Sequence, residues 1–473
     1  ECMANTNNKV IFVERRGSHA NVFAEFMKLP LLGTLYLGTL LKAKGFDVRI
    51  FNENILGRDL TPDDLDADVL CLSLITTSAE RGFAIARDFK SKRPRSRVII
   101  GGVHPTFCAE EAAQYADHVV LGEGANIIED LVLYGSNEKF IFGTPTKNLD
   151  DLPLPDLDLL ALNRPMRKTP ILTSLGCPFH CTFCSVTQMF GHKYRVSSIE
   201  RTLEELRRVR TPSVFFYDDN LAADRKRLHA ICDRMLAENI KFRWTAQARS
   251  DIARDRDLIK KMQRSGCVNI YIGFESVNPE TLINYKKRQS VGEIEEAIRS
   301  FQDNGISIHG MFVLGSDSDD LSVFPATRRF CHDQRLNSVQ FLILTPFPGT
   351  EIFRQMKSEG RLLHSRWRYY DGMHTVFKPK HMSALQLQEG MIKSFKEFYS
   401  FMGATNDALS GVAERAQEFV RSLPVRKGLS SFENALIKVV GRTVVRRWLH
   451  LNKSYIKYLK GLEGKDALLQ DPV

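Results

Sequence analysis

No stretch of about 20 uncharged apolar residues occurs in the chain, so a bilayer-crossing helix is excluded. The opening residues, ECMANTNNKVIFVERRG, lack the charged-then-apolar layout of a secretory signal, and the expected location is the cytoplasm. Paired cysteines are scarce too. Of nine cysteines, Cys2, Cys71, Cys108, Cys232, Cys267 and Cys331 stand singly, several in apolar runs where a free thiol behaves as a small hydrophobe. Such spacing offers no disulfide framework and fits a reducing compartment. Nor is there a dense basic groove with stacking aromatics. The net charge is +10, but Lys and Arg are spread thinly until the C-terminal tail, which argues against nucleic acid as the partner. What the chain does have is length: 473 residues, 43% of them hydrophobic, suffice for two large units and a smaller appendage.

The first 130 residues alternate between strand-like runs (KVIFVE, DVRIFNE, ADVLCLSLIT, RVIIGG, DHVVLGEG) and amphipathic helices (LLGTLYLGTLLKAKG, SAERGFAIARDFKSK). This rhythm predicts an α/β fold, a doubly wound, Rossmann-like parallel sheet over residues 1–147. Ligands of such sheets sit beyond the carboxyl ends of the strands. Falling there are Ser73, Thr76 and Thr77, then Gly101, Gly102, His104 and Thr106, and finally Gly122, Glu123 and Gly124. Glycine lets backbone approach a bulky ligand, and short hydroxyls bond without filling space. Ordinary loop residues of an α/β domain would read the same way.

NLDDLPLPDLDLL opens a proline-spaced, acidic connector, residues 148–168. Strands are then expected near 170–175, 213–218, 242–249, 268–275, 308–314 and 338–344, with helices between them. Six repeats predict a partial (β/α)6 barrel over residues 169–378, with its chemistry at the carboxyl ends of the strands. From residue 379 the pattern becomes helical. In TVVRRWLHLNKSYIKYLKGL, apolar Val445, Trp448, Leu449, Tyr455, Ile456 and Leu459 alternate with Arg446, Arg447, Lys453, Lys457 and Lys460. A helix of this kind either lies on an anionic membrane surface or docks its apolar stripe on the protein. RWRYYDGMHTVFKP, with Trp367, Tyr369, Tyr370 and His374, either caps a site or simply packs.

Directly after the first barrel strand, LTSLGCPFHCTFCSVTQMFG crowds Cys177, Cys181 and Cys184 into eight positions. Three thiolates leave one metal position without a protein ligand, which suits an iron-sulfur cluster with an exogenous fourth ligand. Zinc completed by His180 or His192 is the rival, and three merely buried cysteines the bland alternative.

Cys177, Cys181, Phe183 and Cys184 resemble the C-x3-C-x-aromatic-C signature of the radical S-adenosylmethionine superfamily. The resemblance implies a 4Fe-4S cluster on the three cysteines, its fourth iron chelated by the amino and carboxylate groups of S-adenosylmethionine. It implies reductive cleavage to a 5'-deoxyadenosyl radical, and hence an electron donor such as flavodoxin or ferredoxin. In NIYIGFES the period of two puts Asn269, Tyr271, Gly273 and Glu275 on one face, and Ile270, Ile272 and Phe274 on the other. Glu275 resembles a polar contact to the ribose or methionyl part, and Tyr271 joins the cysteines as a catalytic candidate. In FRWTAQARSD the matching set is Arg243, Thr245, Gln247 and Arg249. Gln247 is a cofactor candidate, and the fork of Arg249 suits the methionyl carboxylate.

Two departures from the family pattern stand out. FFYDDN replaces the usual Gly-Gly-Glu, leaving Asp218 or Asp219 as acceptor for the amino group. The fifth strand keeps Gly305, Ile308 and Gly310 of an adenine-contacting pattern, with Val313 where a glutamate is often found. Leu344, Thr345 and Pro346 are candidates to close the pocket, though turn chemistry also explains them.

A doubly wound domain ahead of such a barrel resembles the cobalamin-binding subclass, and PLLGTLYLGTLL, GGVHPT and GEGA carry that resemblance. It covers roughly residues 8–350. The lower-ligand sequence Asp-x-His-x-x-Gly is absent, as in many members of the subclass, so His104 is expected in a structural or tail-contacting role. The subclass implies methylation of an unactivated carbon of a small molecule, or else an oxidative cyclisation or coupling without methyl transfer; membrane contact through the terminal helix would suit a lipid-like or polycyclic substrate. A non-catalytic cobalamin or redox sensor is the alternative of another kind.

Overall fold

In the computed structural model, residues 9–17, 28–336, 338–400 and 426–463 are described, with side chains of the last segment from residue 439 onward. Six short strands form the first sheet: β1 Lys9–Glu14, β2 Asp47–Asn52, β3 Val69–Ser73, β4 Arg97–Gly101, β5 His118–Leu121 and β6 Phe140–Phe142. All pair in parallel, in the order β2-β1-β3-β4-β5-β6. The strands read as near-continuous apolar runs because helices cover both faces. The order reverses between β1 and β3, which opens a crevice at their carboxyl ends. Only β6 escaped the sequence pattern: it has three residues, and Phe142 is largely exposed at the sheet edge.

The second sheet is parallel and open, in the order β14-β13-β12-β11-β10-β7. Its strands are β7 Lys168–Ile171, β10 Ser213–Phe216, β11 Arg243–Ala248, β12 Cys267–Glu275, β13 Ser307–Leu314 and β14 Ser338–Ile343. Each lies within a few residues of its expected place. Between β7 and β10, an antiparallel pair, β8 Ser174–Leu175 with β9 Arg195–Val196, brackets the cysteine loop.

Alternation sorts the barrel side chains into two populations. Ile270, Ile272 and Phe274 are fully buried under the outer helices, while Asn269, Tyr271 and Gly273 face a less filled lumen. His309 and Met311 on β13, and Gln340 and Leu342 on β14, continue that inner row.

The connector is packed rather than loose. Leu149, Leu152, Leu159 and Leu160 are buried in the first domain's core, and Leu160 bridges Ile50 of β2. The C-terminal region is shared as well: Val444, Val445 and Trp448 complete the barrel core, whereas Tyr455 and Leu459 enter the core of the first domain. There they meet Trp367, Tyr369 and Tyr370, so the aromatic strap packs instead of capping a cavity. His374, wholly buried between Asp371 (2.9 Å) and Asn452 (2.7 Å), ties strap to helix. The apolar stripe of the terminal helix is thus covered by protein. Arg446, Arg447, Lys453, Lys457 and Lys460 remain exposed, and no described helix is long and apolar enough to cross a membrane.

Candidate functional site

The cysteine loop leaves β8 through Gly176, whose φ of +85° and close approach to the Lys193 carbonyl exclude a Cβ. It runs to Cys184, whose amide donates to the Cys181 carbonyl at 3.1 Å, and then enters a helix, Val186–Phe190. Burial raises the Cys177 thiol and pushes Cys184 up to about 12. Such thiols are poor nucleophiles but good metal ligands, because a metal supplies the charge that deprotonates them.

Phe183 turns away from the loop's open side, its ring edge-on to Tyr285 at 4.9 Å and packed on the barrel core. His180 and His192 pack on each other at 3.9 Å between ring centroids. No three ligand atoms among the loop thiols and these two histidines lie within 4.8 Å of one another, whereas a single zinc ion holds its ligands roughly 3.3–3.8 Å apart. Thiolates on separate irons of a cluster need no such convergence.

The tie between the two aspartates is resolved by hydrogen bonds. Asp218 is fully buried and accepts from the Thr173 amide (3.1 Å), the Thr173 hydroxyl (2.7 Å) and Ser174 Oγ, so it fastens the strand that carries the loop. Asp219 is open to the cavity and makes no hydrogen bond or ion pair among the described residues. Surrounding protein and then the Asp218 charge nevertheless raise its carboxyl to about 7. Its charge acts on Cys177 and Cys184, which locates it beside the loop.

From the other wall comes Arg249, buried, its guanidinium 3.7 Å from the centre of the Phe179 ring, between the first two cysteines in sequence. It donates to the Lys287 carbonyl, while Nε makes no hydrogen bond and lies 3.7 Å from Asp251 Oδ1 in a loose ion pair.

Glu275 ends β12 with φ +65°, after a register shift against β13, and its carboxylate pairs with Lys287 at 2.5 Å in a nearly dry setting. A Cβ at Gly273 would press on the ends of both charged side chains, so any larger residue there would displace the pair. Lys287 gave no signal in the sequence, because its partner lies across a loop containing the left-handed residues Lys286 and Arg288.

Below this rim aromatic and neutral side chains dominate, with the Lys168 amine 5.8 Å from the centre of the Phe215 ring. The Tyr271 ring lies 4.9 Å from His309 and 5.9 Å from Phe215. Burial raises the Tyr271 hydroxyl and lowers His309 to about 4, so the imidazole is neutral; its Nδ1 meets Ser338 Oγ at 2.7 Å. Gln247 shares the lumen side of β11.

Two expectations are corrected here. Gly310 points outward, its missing Cβ facing Phe274 and Leu336, so His309 and Met311 occupy the lumen in its stead. Leu344 is buried in the core and lines no pocket; Thr345 instead accepts from the Gly372 amide and holds the strap.

The carboxyl ends of the two sheets face each other. Arg195, beside the cysteine loop, is clasped by Glu123 and donates to the Thr146 carbonyl at 2.6 Å. Tyr217, at the end of β10, packs on the first domain's core. On the N-terminal edge, Ser73 and Thr77 are half-buried and Thr76 is buried, while Ile75 is 43% exposed. The Thr106 hydroxyl links the Gly101–Gly102 turn to the Gly122–Gly124 turn, donating to the Gly102 carbonyl and accepting from the Gly122 amide. Glu14, missed in the sequence, is fully buried at the end of β1 and raised to about 7 by burial, with Thr34, Leu31 and Asn52 as donors.

His104 does not point at this edge. It is fully buried beside Trp367 (5.1 Å) and Phe83 (6.0 Å), which rules out the cobalt-facing role and fits a structural one. Glu123, a cofactor candidate, has its carboxylate engaged by Arg195 and by the Thr146 amide.

The residues fit the expected cofactors. Thiols on one loop suit a cluster. A partnerless carboxylate and a buried guanidinium beside them suit an amino acid zwitterion, and an apolar side chain exposed above a glycine-lined sheet edge suits a flat macrocycle.

Family models agree: residues 171–321 match the Radical SAM superfamily and residues 27–132 the B12 binding domain. The bacteriochlorophyllide d C-12(1)-methyltransferase of Chlorobaculum tepidum is 31% identical over 79% of this chain and 83% of its own. The hopanoid C-3 methylase of Methylococcus capsulatus is 28% identical over 84% and 83%. Among solved structures, the cobalamin-dependent S-adenosylmethionine radical enzyme OxsB, with aqua-cobalamin and S-adenosylmethionine bound, superposes with a TM-score of 0.63 at 16% identity over 98% of this chain and 82% of that one. The chain belongs to the cobalamin-dependent radical S-adenosylmethionine enzymes of the methyltransferase kind, which use a 4Fe-4S cluster, S-adenosylmethionine and cobalamin.

Proposed function

We propose that this enzyme methylates an unactivated carbon of a polycyclic or lipid-like small molecule, held between the barrel mouth and the edge of the N-terminal domain. The observation that carries the reading is the apposition of those two edges, fastened by Arg195 and Glu123, with the partnerless Asp219 on the barrel side and the exposed Ile75 on the other. The names of two relatives support the substrate class, since bacteriochlorophyllides and hopanoids are both polycyclic.

When bound, the cluster with S-adenosylmethionine supplies a hydrogen-abstracting radical, and cobalamin supplies a methyl group. The chain's own residues bind, orient and shield. Cys177, Cys181 and Cys184 hold the cluster. Asp219 accepts the ammonium of the methionyl group, and Arg249, braced on Phe179, meets its carboxylate. Lys287 neutralises Glu275 and fixes the rim. Tyr271, with neutral His309 behind it, orients an uncharged face of the bound molecules and brings no acid into the lumen. Ser73, Thr76, Thr77, Gly101, Gly102, Thr106, Gly122 and Gly124 form the cobalamin cradle, mostly through backbone.

We divide the chain into a cobalamin unit (residues 1–147), a connector (148–168) whose leucines pack on that unit, the barrel (169–378) and a C-terminal tail (379–473). The electron comes from an external donor such as flavodoxin or ferredoxin. Peripheral membrane contact would rest on the basic rim of the terminal helix alone, its apolar stripe being covered.

The deciding experiment uses S-adenosylmethionine with a deuterated methyl group, anaerobic holoenzyme and candidate polycyclic acceptors. A product heavier by the labelled methyl supports methylation. An unlabelled, oxidised or cyclised product would assign the chain to the cyclase or coupling branch instead, and no 5'-deoxyadenosine with any acceptor or without one would leave only a sensor.

A further inference from the structure

We propose that His104, Cys108 and Glu111 form a second metal site, for one divalent transition ion such as zinc, on the helical stretch that follows the N-terminal domain's Gly101–Gly102 turn. His104 is completely buried, and neither ring nitrogen has a hydrogen-bond partner. A buried imidazole left unsatisfied is costly, and a metal ion is one of the few partners that relieves it. Its Nε2 lies 3.4 Å from Glu111 Oε2, and the Cys108 sulfur completes a set of three ligand atoms within 4.8 Å of one another. Among the described residues this is the only such group.

The spacing follows from local structure. Residues four and three apart fall on one face of the helical stretch that runs from Val103 to Ala113 with a break at Cys108. Bonds of about 2.0–2.3 Å to a tetrahedral ion require the three ligand atoms to close by only a fraction of an ångström to about 1.5 Å. The Trp367 indole N–H donates to both Glu111 oxygens, at 3.1 and 2.9 Å, which orients the carboxylate as outer partners of metal ligands do. Nitrogen, sulfur and oxygen donors together select zinc or a similar ion over calcium or magnesium. Glu111 is 38% exposed at its side chain and Cys108 is half-buried, so an ion has a route in from solvent. Because Trp367 belongs to the strap that follows the barrel, an ion here clasps the turn after Gly102 to the other half of the molecule.

The test measures zinc and iron together in the anaerobically reconstituted full-length protein, followed by X-ray absorption at the zinc edge. The expected result is about one zinc per chain beyond the cluster iron, with one sulfur and otherwise nitrogen or oxygen neighbours. Cys108→Ser should lose the sulfur neighbour and most of the zinc while keeping the iron, and Glu111→Gln should weaken zinc retention at least several-fold. Far-UV circular dichroism shows that these two partly exposed variants fold. Absence of stoichiometric zinc after dialysis against free zinc, a multi-sulfur environment, or undiminished zinc in Cys108→Ser would each overturn the site.

Discussion

The two edges that face each other across this molecule recognise their ligands by different means. On the barrel side, specific side chains stand ready: three thiols and the partnerless Asp219 carboxyl, with the Arg249 guanidinium bonded to the Lys287 carbonyl and loosely paired with Asp251. On the N-terminal side, the carboxylates and the Thr106 hydroxyl are already engaged. Glu123 is on Arg195, Thr106 spans two turns, and Glu14 is saturated by three donors. What remains there is backbone, the short hydroxyls of Ser73, Thr76 and Thr77, and the exposed Ile75. On the proposed reading, the difference teaches that charge and coordination grip one cofactor while shape, with a few hydroxyls, grips the other.

Substitutions should therefore act steeply on one side and gradually on the other. The largest effect is expected from replacing Cys177, Cys181 and Cys184 together by alanine. Cluster absorbance and 5'-deoxyadenosine formation should both fall to background, while the far-UV spectrum stays that of the parent, because the loop is braced by β8, β9 and Gly176 rather than by its thiols. Cleavage at the parental rate would break the contrast at its stronger pole.

Next comes the latch between the edges. Arg195 and Glu123 are each nearly buried, and removing one partner strands the other, which typically costs about 3–5 kcal/mol. Glu123→Ala should lower the thermal midpoint and expose the 143–147 loop to protease. It should weaken cobalamin retention without altering the cluster's spectrum.

Asp219→Asn is expected to raise the dissociation constant for S-adenosylmethionine by roughly 10- to 100-fold, the usual worth of a hydrogen bond to a charged group. A pH series sharpens this. The carboxyl is raised to about 7, so below that it holds its proton and offers the ammonium no charge. Affinity should be full above pH 7 and decline as pH falls through it, and the asparagine variant should lose that slope. Titration of the parent with no change between pH 6 and 8 would remove Asp219 from the site.

Much of this was legible in the sequence, and the misses have physical causes. Strand alternation placed Tyr271 and Gln247 in the lumen, and would have placed His309 there too, since it neighbours the outward Ile308. Likeness to a family pattern makes Gly310 a cofactor contact, whereas the period of two, not applied to that strand, turns it outward. Asp218 and Asp219 could not be separated because a chain turn carries both, and only hydrogen bonds from Thr173 and Ser174 decide which is turned away. Lys287 and Arg195 were invisible because their carboxylate partners lie 12 and 72 residues away, and no local rule pairs charges over such distances. The edge strand β6 is too short for any period to show.

The smallest expected effect is also the one that tests the shape-based side directly. Ile75 is among the few large apolar residues left open, and it sits where β3 ends, next to the reversal in strand order. Covering such a side chain with a macrocycle removes its surface from water, worth about 1.5–3 kcal/mol at full burial and less here because 43% exposure means more than half is already covered. Ile75→Ala should thus weaken cobalamin by only about three- to tenfold, with folding unchanged because no core contact is lost. Ile75→Asp should do more, since a carboxylate would have to be desolvated against the ring. If alanine, aspartate and isoleucine bind cobalamin equally, the cofactor does not rest on this edge, and the division between a charged grip and a shaped one fails on its softer side.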